Sequence, residues 1–316
     1  METCRIQQEG GMSGRTQGWV RRILALSRID RKASRKTGIS ISTKKSVCTL
    51  LLALLFLAPV WGNGQAGQDL PFAPGEKLNY SIRYKWGLLM VRAGSANYSV
   101  AATTYKSAPA HKFSLSFRTS SGFDRIFKIR DVLHSYANMN MEPLFHQKSL
   151  SEGSTQYNEE MTFLRFGATK TQARSVRKNL DGSVRFDKSL EANGMAYDMV
   201  NLFTLARTLD YASLTSGKSI SLSSFIGRDV VQMRAHYRGQ TVIEKGKEKY
   251  KALKFDIDVV DEAFDTSEKA VEIWISDDQN RIPLRIKAKL KIGAAEAELS
   301  SSSGLKHPFT SKVSTK

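Results

Sequence analysis

Cysteine is scarce in this chain. Of its 316 residues only Cys4 and Cys48 are cysteine, and both lie in a segment that we expect to be removed before the protein matures. A mature chain without cysteine has no disulfide framework, no cysteine nucleophile and no thiolate metal site. Protein classes that depend on sulfur chemistry are therefore excluded.

Catalytic and cofactor-binding motifs are missing as well. The sequence contains no H-E-x-x-H, C-x-x-C, G-x-S-x-G or Walker A motif, and no β-α-β pattern that would carry a nicotinamide cofactor. The five histidines are scattered without paired spacing: His111, His134, His146, His236 and His307. We expect neither a cofactor nor a metal site.

An export signal is predicted near the N-terminus. Lys44 and Lys45 precede an apolar run over residues 47–60, and Gly64-Gln65-Ala66 follows as a cleavage box. Positive, apolar and small-residue regions in this order are typical of a secretory signal peptide. The apolar run is shorter than the about 18–20 residues that a membrane-spanning helix needs. Cleavage is therefore favoured over anchoring.

The chain divides into four parts on this interpretation. Residues 1–45 are a basic extension, either a long leader or the result of a mis-assigned start codon. Residues 46–66 are the apolar and cleavage regions of the signal peptide. Residues 67–300 form a single β-rich domain, and the polar residues 301–316 are expected to be a disordered tail.

Positive charge is in excess throughout. The formal net charge is +18, and residues 1–66 supply +8 of it through eleven Lys/Arg and three Asp/Glu, which leaves +10 for the mature chain. Such a chain is attracted to anionic surfaces, including phospholipid head groups and acidic glycans. Nucleic acid is disfavoured as a partner, because export separates the two and the basic strands lack an aromatic stacking platform.

Strict alternation of apolar and polar residues predicts strands with one buried face. The clearest runs place these residues on the dry side: Leu78, Tyr80, Ile82, Tyr84 and Trp86; Leu253, Phe255, Ile257 and Val259; Leu284, Ile286, Ala288, Leu290 and Ile292. One wet and one dry face indicates antiparallel pairing. The fold expected is a large curved antiparallel sheet or partly open barrel.

One segment has the periodicity of a helix. Apolar residues recur at three- and four-residue spacing over residues 195–209, and Asp198 near the start suits the helix dipole. A shorter turn is indicated at residues 122–127. A single helix among many one-sided strands predicts that the helix packs in the concave face of the sheet.

Four groups of residues are candidates for a binding or catalytic site. Arg130 and Asp131 are either one rim of an anion site or members of cross-strand ion pairs. Arg281 follows a stretch, residues 277–280, that resembles part of a calcium loop but also fits a hairpin turn. Glu152 and Asp198 are either a carboxylate pair of the kind that glycosidases use or ordinary surface acids.

The fourth group is a basic row on a predicted strand near the C-terminus. It consists of Arg285, Lys287, Lys289 and Lys291. The row either binds a phosphate-bearing lipid or glycan, or is the solvated face of the strand.

Several stretches resemble the bacterial domain-of-unknown-function family 3108. They are P-F-x-P-G-E-x-L-x-Y at residues 71–80, Y-x-W-G at 84–87, F-K-I-R-D at 127–131, Glu152-Gly153, Tyr197-Asp198-Met199, and W-I-S-D-D with R-I-P between residues 274 and 283. The resemblance spans residues 70–299. It implies an exported, mostly antiparallel protein of the Gram-negative periplasm, and it implies no activity.

Three functions remain open at this stage. The leading hypothesis is a non-enzymatic carrier that holds an apolar or anionic envelope component, such as a lipid or glycan, with Tyr80, Tyr84 and Trp86 lining its interior. Peripheral contact with a membrane fits the same hypothesis. The alternatives are an envelope hydrolase that uses Glu152, Asp198 or Asp131, and an outer-membrane β-barrel.

Overall fold

The computed structural model describes residues 69–259, 268–290 and 293–313. The basic extension and the signal segment, residues 1–66, lie outside the described residues, so those expectations stay predictions. Within the described ranges, no helix is both long and apolar enough to span a bilayer.

Sixteen strands make up 66% of the described chain. The first eight are β1 (Lys77–Trp86), β2 (Leu89–Tyr105), β3 (Ala108–Thr119), β4 (Arg130–Asn138), β5 (Pro143–Glu152), β6 (Thr155–Arg165), β7 (Lys170–Lys178) and β8 (Val184–Asn193). The others are β9 (Ala196–Tyr197), β10 (Ser219–Ile226), β11 (Asp229–Lys245), β12 (Glu248–Val259), β13 (Val271–Ser276), β14 (Pro283–Lys289), β15 (Ala294–Ser303) and β16 (Lys312–Val313).

The strands form one sheet made of two meanders. Its order is β8-β7-β6-β5-β4-β3-β2-β1-β15-β14-β13-β12-β11-β10-β9, with β16 added beside β12. The pairing of β1 with β15 joins the N-terminal meander to the C-terminal one. Among the named strands, only the short pairing of β9 with β10 is parallel. The predicted antiparallel sheet is confirmed.

The two ends of the sheet approach each other, so the sheet is a nearly closed barrel. β8 contacts β11 across the gap, although the two strands are not paired. A small apolar cluster fills this seam, with Met161 and Leu190 from one end of the sheet and Phe225 from the other. Side-chain packing therefore closes the barrel where hydrogen bonds do not.

The structure describes two α-helices. The longer one, α2 (Met199–Ala206), lies where the chain crosses from one end of the sheet to the other. The shorter helix, α1 (Ser121–Asp124), matches the turn expected at residues 122–127. α2 (Met199–Ala206) is buried along its whole length and contacts β3, β4 and β10. The helix is shorter than the predicted residues 195–209, because Asp198 caps its N-terminus and the two residues before Asp198 form β9. The predicted helix in the concave face is confirmed.

Side chains on the two faces of the sheet differ sharply. Inward positions such as Leu78, Phe113 and Ile286 belong to one continuous apolar core. The outward row on β14 and β15 is charged: Arg285 lies 2.6 Å from Glu298, and Lys287 lies 3.6 Å from Glu296. The described part of the predicted basic row is thus largely neutralised by β15. A charged outer face favours contact with water over contact with lipid acyl chains.

One buried ion pair ties the helix to the N-terminal segment. Arg207, at the C-cap of α2, lies 2.5 Å from Glu76, and neither side chain is exposed to solvent. The guanidinium also donates to the carbonyl of Asn280 at 2.8 Å, and the Phe72 ring lies against it. Three separate segments therefore meet on one guanidinium.

The expected disordered tail is corrected by the structure for residues 301–313. β15 continues to Ser303, and β16 pairs with β12. The loop between β13 and β14 binds the tail, because Asn280 donates to the carbonyls of His307 and Pro308 and Asp278 accepts from the backbone of Ser311. Polar composition alone indicated disorder, but these hydrogen bonds satisfy the backbone of the tail.

Replacing Arg207 with Met should lower the free energy of unfolding by about 3–5 kcal/mol, because Glu76 would keep a buried charge without a partner. The measurement is the midpoint of urea unfolding. The control is Arg174→Met, which breaks the exposed pair between Arg174 and Asp187 and should lower the free energy of unfolding far less, because solvent screens that pair. Equal losses in the two variants would contradict a central role for the buried pair.

Candidate functional site

The tyrosines predicted to line a ligand cavity lie in the core. Tyr80 is 1% exposed and its hydroxyl has no hydrogen-bond partner among the described residues. Burial raises the pKa of Tyr80 well above its ordinary value. Tyr84 is half-buried against Phe123 of α1. Trp86 ends β1, and its side chain lies outside the described part of the chain.

Asp198 is the N-cap of helix α2 and is fully buried. Its carboxylate accepts the backbone N–H groups of Val200 and Asn201 at 3.0 Å. The hydroxyl of Ser135 donates to the same oxygen at 2.5 Å, and Nδ1 of His146 lies 3.3 Å from it. Asp198, which indicates the start of the helix in the sequence, therefore also anchors that helix to β4 through Ser135 and to β5 through His146.

The charge state of this cluster follows from its hydrogen bonds. Burial opposes ionisation of Asp198, but His146, Ser135 and the helix N-terminus hold the pKa of Asp198 below its ordinary value. The hydroxyl of Ser135 donates its hydrogen bond to Asp198. In the 2.8 Å contact between Ser135 and His146, Nδ1 of His146 must therefore be the donor. Ser135, His146 and Asp198 together hold the N-terminus of α2.

A second polar cluster lies two positions further along the inward face of β5. It centres on Lys148, which is 3% exposed and interacts electrostatically with Glu159, Asp131 and Glu152. Burial alone would lower the pKa of Lys148, but Tyr157 and these carboxylates raise it above the ordinary value. Lys148 is therefore a buried ammonium ion enclosed by carboxylates.

Arg177 extends this cluster to the seam. Its guanidinium lies 2.5 Å from Glu159 and 4.0 Å from the centre of the Tyr157 ring. Gly227, in the turn between β10 and β11, packs so closely that an added Cβ would lie 3.0 Å from Arg177. Glycine also suits the positive φ of 63° at this position. The cluster therefore lies under the turn that covers the seam.

Two predicted carboxylates, Asp131 and Glu152, are thus brought together, while Asp198 belongs to the adjoining cluster. All three are at most 3% exposed. One oxygen of Asp131 accepts the backbone N–H of Ser151 at 2.9 Å. With Lys148 between them, the two carboxylates are arranged as a structural ion network, and a glycoside has no open approach to them.

The two predicted arginines lie elsewhere. Arg130 points to the outer face and pairs with Asp124 at 2.6 Å, which lowers the pKa of that carboxyl to about 2. Arg281 lies 3.2 Å from Asp277 and stacks on the ring of Tyr211. Arg130 is thus in an ion pair, but with helix α1 and not across strands as expected, and the hairpin-turn alternative describes the residues around Arg281.

A serine–histidine–aspartate relay lies on the outer face of β10, β11 and β12. Ser219 lies 2.7 Å from Nδ1 of His236, and Nε2 of His236 lies 2.7 Å from Asp258. Burial raises the pKa of Asp258, but the backbone N–H of Lys269 and the His236 ring outweigh it and leave the pKa lowered. The ionised carboxylate accepts a hydrogen bond from Nε2–H of His236, so Nδ1 accepts from the Ser219 hydroxyl.

The largest exposed apolar feature in the described residues is the turn between β1 and β2. Leu88 is fully exposed, and Leu89, Met90 and Val91 are 50%, 50% and 43% exposed. We call residues 86–91 the hairpin tip. Exposed Arg83, Lys85 and Arg92 flank it.

The chain matches the family described as "Protein of unknown function (DUF3108)" over residues 79–300. It belongs to this family. The match covers β1 through most of β15 and thus both meanders, and it confirms the resemblance found in the sequence. No curated protein matches the chain.

Two solved structures are similar to the chain at low identity. One is the β-barrel-like protein of family DUF1849 from Brucella abortus, with 11% identity, a TM-score of 0.47, and coverage of 74% of this chain and 99% of that one. The other is a protein with a YmcC-like fold from Bacteroides fragilis, with 8% identity, a TM-score of 0.32, and coverage of 74% and 98%.

Sequence reasoning missed Lys148, His146 and the outer relay, because each depends on which residues of neighbouring strands lie opposite one another, and the sequence does not state that register. It also passed over the hairpin tip, for which a signal existed. Residues 88–91 are four consecutive apolar residues at a turn, and such runs in exposed turns are unfavourable unless they bind something.

The Asp198 cluster predicts a specific acid response. Because the pKa of Asp198 is lowered by folding, its charge stabilises the fold above the unfolded pKa of about 3.9, and this stabilisation is lost as the pH falls through the folded pKa. Asp198→Asn keeps a good helix cap but should show a shallower loss of stability below about pH 4 in urea unfolding. The control Asp187→Asn changes a carboxylate in an exposed pair. Its stability below about pH 4 should follow that of the wild type more closely than the stability of Asp198→Asn does. Parallel curves for wild type and Asp198→Asn would refute this role.

Proposed function

We propose that the mature chain is a non-enzymatic, exported binding protein of the Gram-negative envelope, and that its ligand is an anionic amphiphile. The observation that carries the proposal is the hairpin tip, where exposed apolar and cationic side chains meet. Residues 44–66, with the order of a signal peptide, support export to the periplasm.

The tip combines the two interactions that an anionic amphiphile needs. Leu88 and its apolar neighbours offer surface that gains free energy on leaving water. Arg83, Lys85 and Arg92 are exposed beside it and attract negative charge. Contiguous apolar surface of this kind on a soluble domain typically marks an interaction site.

The concave face offers less support for binding. α2 occupies it, and the surrounding residues Tyr98, Phe113 and Phe203 are at most 2% exposed. The inner polar cluster contains Asp131, Glu152 and Glu159 against two cations, so its charge balance does not suit an anionic ligand. We therefore place the apolar contact with the ligand at the hairpin tip and not in the interior of the sheet.

A fluorescent lysophosphatidylglycerol, kept below its micelle concentration, should bind the delipidated mature chain saturably. Leu88→Glu should weaken this binding about tenfold or more, because a carboxylate repels the head group and removes apolar surface. Fluorescence anisotropy measures the affinity. Added salt should also weaken it, because the rim charges are exposed.

The matched control is Leu180→Glu. Leu180 is 64% exposed in the turn between β7 and β8. The Leu180→Glu variant therefore adds the same charge at a different exposed turn. Binding by Leu180→Glu should equal that of the wild type. Absence of saturable binding by the wild type, or equal losses in both variants, would remove the proposal.

A second candidate function is acyl-ester hydrolysis at the outer relay. In this reaction Ser219 attacks an ester carbonyl, His236 takes the hydroxyl proton and returns it to the leaving alcohol, and water then releases the acyl group. Asp258 orients the imidazole. Arg234, on the same face of β11, adds positive charge beside the carboxylate. Unlike Asp131 and Glu152, the relay is open to solvent, with His236 20% and Asp258 30% exposed.

The test of this candidate is covalent labelling with a fluorophosphonate probe. The wild type should be labelled, and Ser219→Ala should lose the label because it removes the nucleophile. Ser221→Ala is the control, since Ser221 is exposed on the same strand and the same face. An unlabelled wild type, or a label that survives Ser219→Ala, would exclude hydrolysis at the relay.

A further inference from the structure

The hairpin tip projects beyond the strands on both sides of it. The last pair between β1 and β15 is Lys85 with Ala294, and the last pair between β2 and β3 is Gly94 with Thr119. β2 therefore runs five residues past β3, about 16 Å at the rise of a strand. On the other side β1 runs one residue past its last pair with β15, so the tip is the end of a short two-stranded ribbon that is free mainly along β2.

Helix α1 supports the base of this ribbon and leaves its end uncovered. The backbone N–H of Ser120 donates to the carbonyl of Ala93 at 2.8 Å, and Phe123 contacts the ring of Tyr84. These contacts stop short of residues 88–91, all of which are exposed. Ile126, in the turn after α1, adds a further apolar side chain that is 41% exposed.

Six exposed cations lie on the ribbon and on the segments near its base. Arg83, Lys85 and Arg92 are exposed on the ribbon itself. Arg125, Lys128 and Lys289 are exposed on the neighbouring α1 region and at the end of β14. Asp124, an acidic residue in the same region, is already engaged by Arg130. We call these six cations the basic rim.

We propose that the tip inserts into the interfacial layer of an anionic phospholipid bilayer while the basic rim contacts the head groups. This inference rests on the proposed function and names the bilayer as the partner. An apolar projection ringed by cations matches a membrane interface, where apolar side chains enter the acyl boundary and Lys/Arg remain among anionic head groups.

A second copy of the chain fits this surface less well. Pairing two tips would bring two basic rims together, and like charges in contact oppose association. A protein partner would need an apolar groove edged by carboxylates. An anionic bilayer offers both apolar contact and negative charge without a specific groove, so the charge pattern favours the bilayer.

Vesicle flotation tests this docking. The mature wild-type chain should float with vesicles of phosphatidylethanolamine and phosphatidylglycerol, and remain in the dense fraction with phosphatidylcholine alone. Leu88→Glu should reduce flotation about tenfold or more, whereas Leu180→Glu should float like the wild type. The triple variant R83Q/K85Q/R92Q should lose most of the dependence on phosphatidylglycerol.

The outcomes separate this inference from the proposed function. Binding of dispersed lysophosphatidylglycerol without flotation would overturn bilayer docking and leave the amphiphile-binding function in place. Failure in both experiments would remove both. A wild-type dimer in sedimentation velocity that Leu88→Glu dissociates would assign the tip to a second copy and overturn the bilayer. Circular dichroism spectra identical among variants exclude unfolding as the cause of lost binding.

Discussion

The fold depends on the buried ion pair between Arg207 and Glu76. Glu76 directly precedes β1, and Arg207 ends the helix that crosses between the sheet ends. The same guanidinium also donates to the carbonyl of Asn280, whose side-chain amide in turn donates to carbonyls of the C-terminal tail. Charges this deeply buried are stable only when fully paired. The start of the sheet, the crossing helix and the end of the chain are therefore positioned relative to one another by one set of hydrogen bonds.

The interior polar groups have a positioning role that explains why they are charged. Asp198 and His146 hold the start of α2, and Lys148 with its carboxylates fills the space near the seam. Both clusters adjoin the seam, where side-chain packing and not strand pairing closes the sheet. Since directional hydrogen bonds specify one arrangement among many possible apolar contacts, these clusters fix how the two sheet ends meet. The residues available for binding are consequently on the outside, at the hairpin tip and at the relay.

Local patterns predicted much of the fold. Alternation in residues 78–84 and 284–288 identified buried faces, and Asp198 identified the start of the helix, because each depends on near neighbours in the chain. The ordered tail, the Lys148 cluster and the relay depend on partners separated by many residues or on adjacent strands whose pairing the sequence does not state. Tyr80 illustrates the limit: alternation predicted its inward direction, but only packing shows that its neighbours leave it no open cavity.

The pairing of β1 with β15 has a consequence for how the protein forms. These strands lie more than 200 residues apart, yet they are neighbours at the middle of the sheet. Each meander can assemble from local hairpins, but joining them requires closing a loop that contains nearly the entire domain, which is slow. A chain emerging from its N-terminus therefore stays incomplete until its last strands are synthesised. Until β15 joins it, β1 is an edge strand whose outer backbone groups have no partner strand.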